Sequence, residues 1–379
     1  MSSLSIRKGT SQQRDPVRAA HELHDAISQP GLQLAVFYCA ADYDLPALAQ
    51  ALHAQFGDVN LVGCTTAGEI TPEGYLAGAL TGFSLAAPNL DVATALIGLK
   101  PFDADGAART AAGLVAALGE REGLPPGSTD TFAFLLIDGL AMQEELVVSC
   151  LHRQLNGIEL IGGSAADDTR FGATYLYHGG RFHQNVALLN LVRSDMPFVT
   201  FRTQHFVHSD KRMVVTRADP ARRVVHDING RPAAREFARL VELPLTELTP
   251  MIFATHPVVV RVGGQYYLRS IARVNPDESL TFFCAIDAGI VLTIARGVDM
   301  VANLERAFDD VQAAIGPPQL VLGCDCILRR LQTERDGIKD RVGEIFARNN
   351  VIGFATYGEQ FNSMHVNQTF TGIAIGSRG

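Results

Sequence analysis

The sequence predicts a mixed α/β protein of repeated strand–helix–strand–hairpin units, its sheets covered by helices and its two domains carrying a pseudo-duplication. Three observations predict it. Apolar runs of strand length alternate with helical segments and return as apolar runs containing glycine. The spacing repeats: Cys39 stands as far before Gly63 as Asp138 before Gly162, and Cys324 stands only slightly farther before Gly353. Finally, Gly63, Thr66, Gly68, Glu69 and Gly82 recur at identical offsets as Gly353, Thr356, Gly358, Glu359 and Gly372.

Each unit can be followed along the chain. The first runs LAVFYCA, LPALAQALHAQF, NLVGCTTAGE; the second FAFLLIDG, QEELVVSCLHRQL, ELIGGSAADD; the third QLVLGCDCI, TERDGIKDRVGEIFARN, NVIGFATYGE. Continuous apolar strands suit a sheet buried on both faces, and units of about 30 residues have the length of a βαβ crossover. The second unit matches less well, because GGSAADD places Asp167 and Asp168 where the others have Gly–Glu. After it, ATYLYHGGRFHQNVALLNLV reads as strands joined at a Gly-Gly hairpin. The stretch 198–232 is β-rich, AAREFARLVEL reads as a helix, 251–286 returns to strands, and NLERAFDDVQAAI has helical periodicity. Charge and proline interrupt the strand pattern at 215–225. The expected division is therefore an N-terminal helical extension (1–29), a first α/β domain (30–220) and a second (221–379).

Composition narrows the function classes. With 379 residues, 47% hydrophobic and 19% charged, the chain can bury a large core. Its net charge of -8 and the lack of Lys/Arg clusters argue against nucleic acid; RADPARRVV is expected as a solvated face. No apolar run reaches the length of a membrane span, and the opening residues lack the apolar core of an export signal, so a soluble, cytoplasmic protein is expected. The six scattered cysteines read as reduced, structural thiols, and the CDC of 324–326 lacks a second pair for zinc.

No catalytic set emerges. A G-x-S-x-G elbow, a P-loop and G-x-G-x-x-G are all missing, and Cys64 is matched by Phe354 in the other copy. A non-enzyme is therefore expected. The glycine turns gather Thr66, Glu69, Asp167, Asp168, Thr356 and Glu359 at equivalent sheet edges, where small ligands bind in open α/β sheets. His365 stands out because Asn362, Met364, Asn367, Gln368 and Thr369 surround it, and none of these residues recurs in the first copy. Amide neighbours can fix an imidazole tautomer and free its other nitrogen. A buried histidine that tethers the last hairpin is the other reading.

The motifs GCTTAGEI, GGSAADD, GCDCILRRL and GFATYGEQFNSMHVNQTF resemble the FIST family of bacterial sensory proteins, with FIST N and FIST C domains, over residues 30 to 375. As a stand-alone pair the chain is similar to the family's NosP type. That resemblance implies a haem b cofactor, nitric oxide as signal, and a histidine kinase or a cyclic-di-GMP enzyme (a diguanylate cyclase or phosphodiesterase) as partner. His365 is then the expected axial ligand, with adjacent Met364, and His256 beside Pro257, as further candidates, and Phe354, Tyr357 and Phe361 as pocket walls. With no C-x-x-C-H, such a haem would be non-covalent. The resemblance equally admits a small ligand such as an amino acid, held by Glu69, Asp167, Asp168 and Asn367 without haem, or a scaffold that forms a homo-oligomer or binds a kinase.

Overall fold

The computed structural model describes residues 4–119 and 130–377. It turns the partial repeat into three equivalent copies. In each, a leading strand and helix precede two parallel strands joined through a helical segment, then a short hairpin and a returning antiparallel strand. The first copy comprises Ser5–Ser11, helix Pro16–Ile27, Leu34–Ala40, helix Leu45–Phe56, Leu61–Thr66, the hairpin Glu69–Thr71/Gly74–Leu76, and Leu80–Ala86. The second comprises Asp91–Gly98, helix Ala104–Gly119, Thr131–Ile137, helix Glu144–Leu155, Glu159–Ser164, the hairpin Leu176–His178/Arg181–His183, and Val186–Arg193. The third comprises Phe198–Thr203, helix Met300–Ile315, Leu320–Cys326, helices Ile327–Arg335 and Lys339–Arg348, Val351–Thr356, the hairpin Glu359–Phe361/Met364–Val366, and Phe370–Ile375.

Local chemistry starts these helices where they are needed. Asp15 and Asp44 cap Pro16–Ile27 and Leu45–Phe56 by accepting from the amides of Arg18 and Ala47, each with proline in the first turn. Asp299 does the same for Met300–Ile315 through Ala302. The third copy's crossover, read from sequence as one helical segment, breaks at Gly337, whose positive φ of 67° an α-helix does not accommodate.

The copies exchange their hairpins in a closed cycle. The first copy's hairpin extends the third copy's sheet, the third extends the second, and the second extends the first. A ring of backbone bonds repeats the cycle: the amides of Ala67, Tyr357 and Ala166 donate to the carbonyls of Ala355, Ser164 and Thr65. Between the three sheets lies one core that includes Tyr38, Phe83, Phe134, Leu188, Leu322 and Phe354, with Tyr38 stacked on Phe354 at 4.6 Å. Each sheet turns its other face to its own helices, forming three outer cores. Burial on both faces explains the unbroken apolar runs.

Residues 206–297 are inserted between the third copy's leading strand and its helix. They form a separate sheet of antiparallel strands with helices Ala233–Val241 and Pro250–Thr255, around a core including Met213, Val225, Phe237, Phe253 and Leu292. Residues 1–29 hold more than the expected helix. Ser5–Ser11 is a strand paired with Leu80–Ala86, because the first copy needs a leading strand as the others do.

Candidate functional site

The ladders align the copies residue by residue and move one equivalence drawn from sequence. Glu69 pairs with Phe354 and Glu359 with Gly163, but Leu176 takes that rung in the second copy, opposite Cys64. A longer loop between Ala165 and Leu176 displaces Asp167 and Asp168 from the position that Gly68–Glu69 and Gly358–Glu359 occupy.

Most of the expected ligand-binding groups are engaged within the fold. Thr66 donates its hydroxyl to Glu69, whose other oxygen accepts from the amide of Ala79 at 2.9 Å. Thr356 donates to Glu359 at 2.6 Å, and the hydroxyl of Thr369 donates to the same carboxyl at 2.7 Å. Asp167 accepts from the amides of Gly172 and Ala173 and from the hydroxyl of Tyr357. Asp168 is exposed and pairs with Arg330 at 3.4 Å. His256 ends helix Pro250–Thr255, with its Nδ1 3.0 Å from the Thr255 hydroxyl. Met364 is half-buried and, by strand alternation, faces away from His365.

Burial drives the Glu69 carboxyl up to about 7 and that of Glu359 up to about 8, against the opposing pull of their threonine bonds. A folded-state value above the unfolded one means that the native state holds the extra proton. Stability from Glu359 is then complete below about 4.5 and falls as pH rises toward 8. Glu359→Gln should keep stability at pH 5 within about 1 kcal/mol and flatten the loss above it, which approaches about 1.4 kcal/mol per pH unit for one carboxyl. Urea midpoints at pH 5, 6.5 and 8 read this directly. An unchanged slope would mean that Glu359 is already ionised.

The third hairpin differs from the first in its buried side chains. Gln360, His365, Asn367 and Gln368 stand where the first copy has Ile70, Tyr75, Ala77 and Gly78, and all four are at most 2% exposed. Tyr75 donates its hydroxyl to Asp325; the ladder position matching Asp325 in the second copy is Ile137, which offers His365 no such partner. The His365 ring lies over Gly358, where a Cβ would come within 2.2 Å of Cε1 and 3.0 Å of the Asn367 amide nitrogen. Only glycine fits there.

Charge surrounds this hairpin. Burial holds His365 below its ordinary value, and so neutral, against the pull of Glu144 and Glu145 at the start of helix Glu144–Leu155. Arg223 of the insert donates to both carboxylates, at 2.9 Å for Glu145, and to the carbonyl of Phe283 at 2.6 Å. Arg269 donates to the His365 carbonyl at 3.1 Å, and Gln368 donates to that of Ala254 at 2.9 Å. The hairpin is therefore the seam between the three-copy body and the insert.

Several polar atoms at this seam have no protein partner: His365 Nε2, Gln360 Oε1, Gln368 Oε1, and both amide atoms of Asn367. Native folds rarely leave such groups buried and unpaired. The orientations of Gln360, His365 and Gln368 are set by the bonds they do make. Gln360 donates to Ser164 at 3.0 Å and faces His365 Nδ1 at 3.3 Å, so Nδ1 accepts and Nε2 carries the proton. The unpaired set is two donors, His365 Nε2–H and the Asn367 amide nitrogen, and three amide oxygens.

These residues do not fit a haem. An axial histidine needs a flat apolar slot beside its free nitrogen, whereas His365 has amides, carboxylates and guanidinium groups around it. The expected walls are used elsewhere: Phe354 stacks on Tyr38, Tyr357 stacks on Phe171 at 4.5 Å, and Phe361 faces the Arg202 guanidinium. Among the described residues no group of three or more His, Cys, Asp or Glu could hold a metal ion.

Comparison of the copies singles out His365, Asn367 and Gln368 in the sequence but not Gln360, although Gln360 stands against Ile70 in the same alignment. Glu144, Glu145, Arg223 and Arg269 carried no signal, because three separate stretches of chain bring them here.

Comparison with known proteins gives two family matches. Residues 33–231 match the model described as the FIST N domain, and residues 233–362 that described as the FIST C domain. An uncharacterised protein of Methanocaldococcus jannaschii, MJ1623, is 22% identical over 275 residues, covering 63% of this chain and 53% of its own length. The chain thus spans about half the length of that curated relative. No helix among the described residues is long and apolar enough to cross a membrane.

Proposed function

This chain belongs to the FIST family, whose domains are sensory ligand-binding modules, and on that premise we propose that it senses a small zwitterion of the amino-acid type. The observation that carries this reading is the buried, unpaired set at the third hairpin. His365 Nε2–H and the Asn367 amide nitrogen supply donors for a carboxylate, and the oxygens of Asn367, Gln360 and Gln368 supply acceptors for an ammonium. Fixed dipoles of both kinds select a zwitterion over a simple anion or cation. In this reading the insert closes over the ligand, and the change in its position is what a partner protein detects. The resemblance suggests a histidine kinase or a cyclic-di-GMP enzyme as that partner.

The test is a thermal-shift screen of the twenty amino acids on wild type and Asn367→Leu. A cognate ligand at a hundredfold excess over its Kd stabilises by about 2.7 kcal/mol, a few degrees in Tm. Asn367→Leu should abolish that shift while leaving the ligand-free Tm unchanged or higher, because it removes two unpaired buried polar atoms. A lowered ligand-free Tm with the ligand response intact would overturn the reading. So would a Soret band on adding haemin that disappears in His365→Ala, which would restore haem and nitric oxide.

A further inference from the structure

A separate cavity of about 950 Å³ opens where the second copy's hairpin meets helix Leu45–Phe56 of the first. The corresponding contact in the first copy is tight: a Cβ on Gly74 would stand 3.0 Å from the backbone of Gly343 in helix Lys339–Arg348. The second copy's longer loop, from Ala165 to Leu176, instead lines a gap. Its apolar wall includes Tyr43, Leu45, Ala49, Tyr175 and Phe182. The volume falls in the range of sites that enclose small organic ligands.

Four charged side chains in the wall divide by what they already do. Asp44 caps its helix through the amide of Ala47 at 3.0 Å, and Asp167 is taken up by Gly172, Ala173 and Tyr357. Arg170 donates Nε to the Asp167 carbonyl at 3.0 Å, leaving its two terminal nitrogens, and Arg181 follows the hairpin turn, paired across it with His178. Among the described residues neither guanidinium forms an ion pair, in a chain whose net charge is -8. The four charges sum to zero, but the aspartates already accept from backbone amides and Tyr357 while both guanidinium forks keep donors for a ligand, and the rest of the wall is largely aromatic and aliphatic.

We propose that this cavity is a second binding site, for a small aromatic carboxylate. The ring body is buried against the apolar wall, and the carboxylate is met by Arg170 and Arg181, whose planar forks suit carboxylate oxygens. The site uses none of the residues at the His365 hairpin, so it stands independently of the zwitterion reading.

The experiment is calorimetric titration of the full chain with 2-naphthoate and with its neutral counterpart, 2-naphthamide. Naphthoate should bind saturably at one site, at least tenfold tighter than the amide. In Arg170→Gln/Arg181→Gln that preference should vanish through weaker naphthoate binding, with the amide unaffected. Both arginines are exposed, and an unchanged circular-dichroism melt confirms that the fold is intact. Equal binding of the two compounds to wild type, an unaltered preference in the double variant, or no saturable binding at millimolar naphthoate would each overturn the proposal.

Discussion

Arg329→Met should destabilise the protein by about 3–5 kcal/mol, the usual consequence of removing one partner from a buried ion pair. Arg329 and Asp325 are both at most 1% exposed, with Nε donating to Oδ1 at 2.6 Å. The same guanidinium donates to His205 Nδ1 at 2.9 Å, and Asp325 also accepts from Tyr75. Burial, then Arg329, holds His205 down at about 3, so its ring is neutral and its Nε2–H donates to Gln332. One cluster thus ties the first copy's hairpin, the third copy's strand and helix, and the chain entering the insert. Without Arg329 the buried Asp325, whose carboxyl burial already raises, goes higher still. A raised carboxyl favours the protonated native state, so the variant should lose stability as pH rises above the ordinary carboxylate range. Asp325→Asn in the same background removes the stranded charge yet still accepts from Tyr75, and should recover part of the loss. Urea denaturation across pH 5 to 8 measures all of this; a double variant no better than Arg329→Met would show that packing, not charge, dominates.

What the sequence could and could not reveal follows from how far apart the interacting residues lie. The units were legible because each strand, helix and hairpin is written in its own residues: apolar runs, helical periodicity, and the matched Gly63 and Gly353. The threefold closure was not, because hairpin exchange depends on which sheet edge accepts each hairpin. No local pattern states that Glu69 will pair with Phe354. The second copy matches least in sequence because its loop is longer, which shifts the alignment and places Asp168 where Leu176 is the true counterpart. At the candidate site, comparing copies found the unusual residues, since Asn367 against Ala77 is a contrast within one chain. Their neighbours were invisible for the same reason as the closure. Arg223 lies in a stretch read as a solvated basic face, and only the tertiary fold brings its guanidinium between Glu144 and Glu145. The wall aromatics failed differently: Phe354 and Tyr357 have the right spacing for a pocket, but strand alternation sends Phe354 into the central core.

That arginine carries the other large effect. Arg223→Met should cost about 3–5 kcal/mol at the seam, because it strands two adjacent carboxylates, one of them only 1% exposed. Arg223 also fixes the insert directly, through the Phe283 carbonyl, while Glu145 accepts from the amide of Ala285 at 2.8 Å. The body and the insert each have a core of their own, joined by a smaller apolar cluster around Ala254, Cys326 and Tyr357, so the loss should appear as opening of the seam before global unfolding. Hydrogen exchange should accelerate at 144–148 and 280–286, with the strand Leu34–Ala40 unchanged. The pH dependence has a definite sign. Without Arg223 the buried Glu145 carboxyl rises, favours the protonated native state, and makes the variant weaker at pH 8 than at pH 5. His365 shifts in the same direction. Losing a nearby positive charge while the carboxylates remain raises its imidazole toward protonation, which adds a second donor proton to a ring that uses Nδ1 as an acceptor. Ligand binding at the hairpin should therefore weaken at least tenfold at pH 6 and recover partly at pH 8, a profile that loss of packing alone does not produce. Arg223→Lys keeps the charge but loses the fork that reaches both glutamates, and should fall between wild type and Arg223→Met. If seam exchange and the pH profile of binding are both unchanged in Arg223→Met, the insert is not latched by this cluster and does not gate the site.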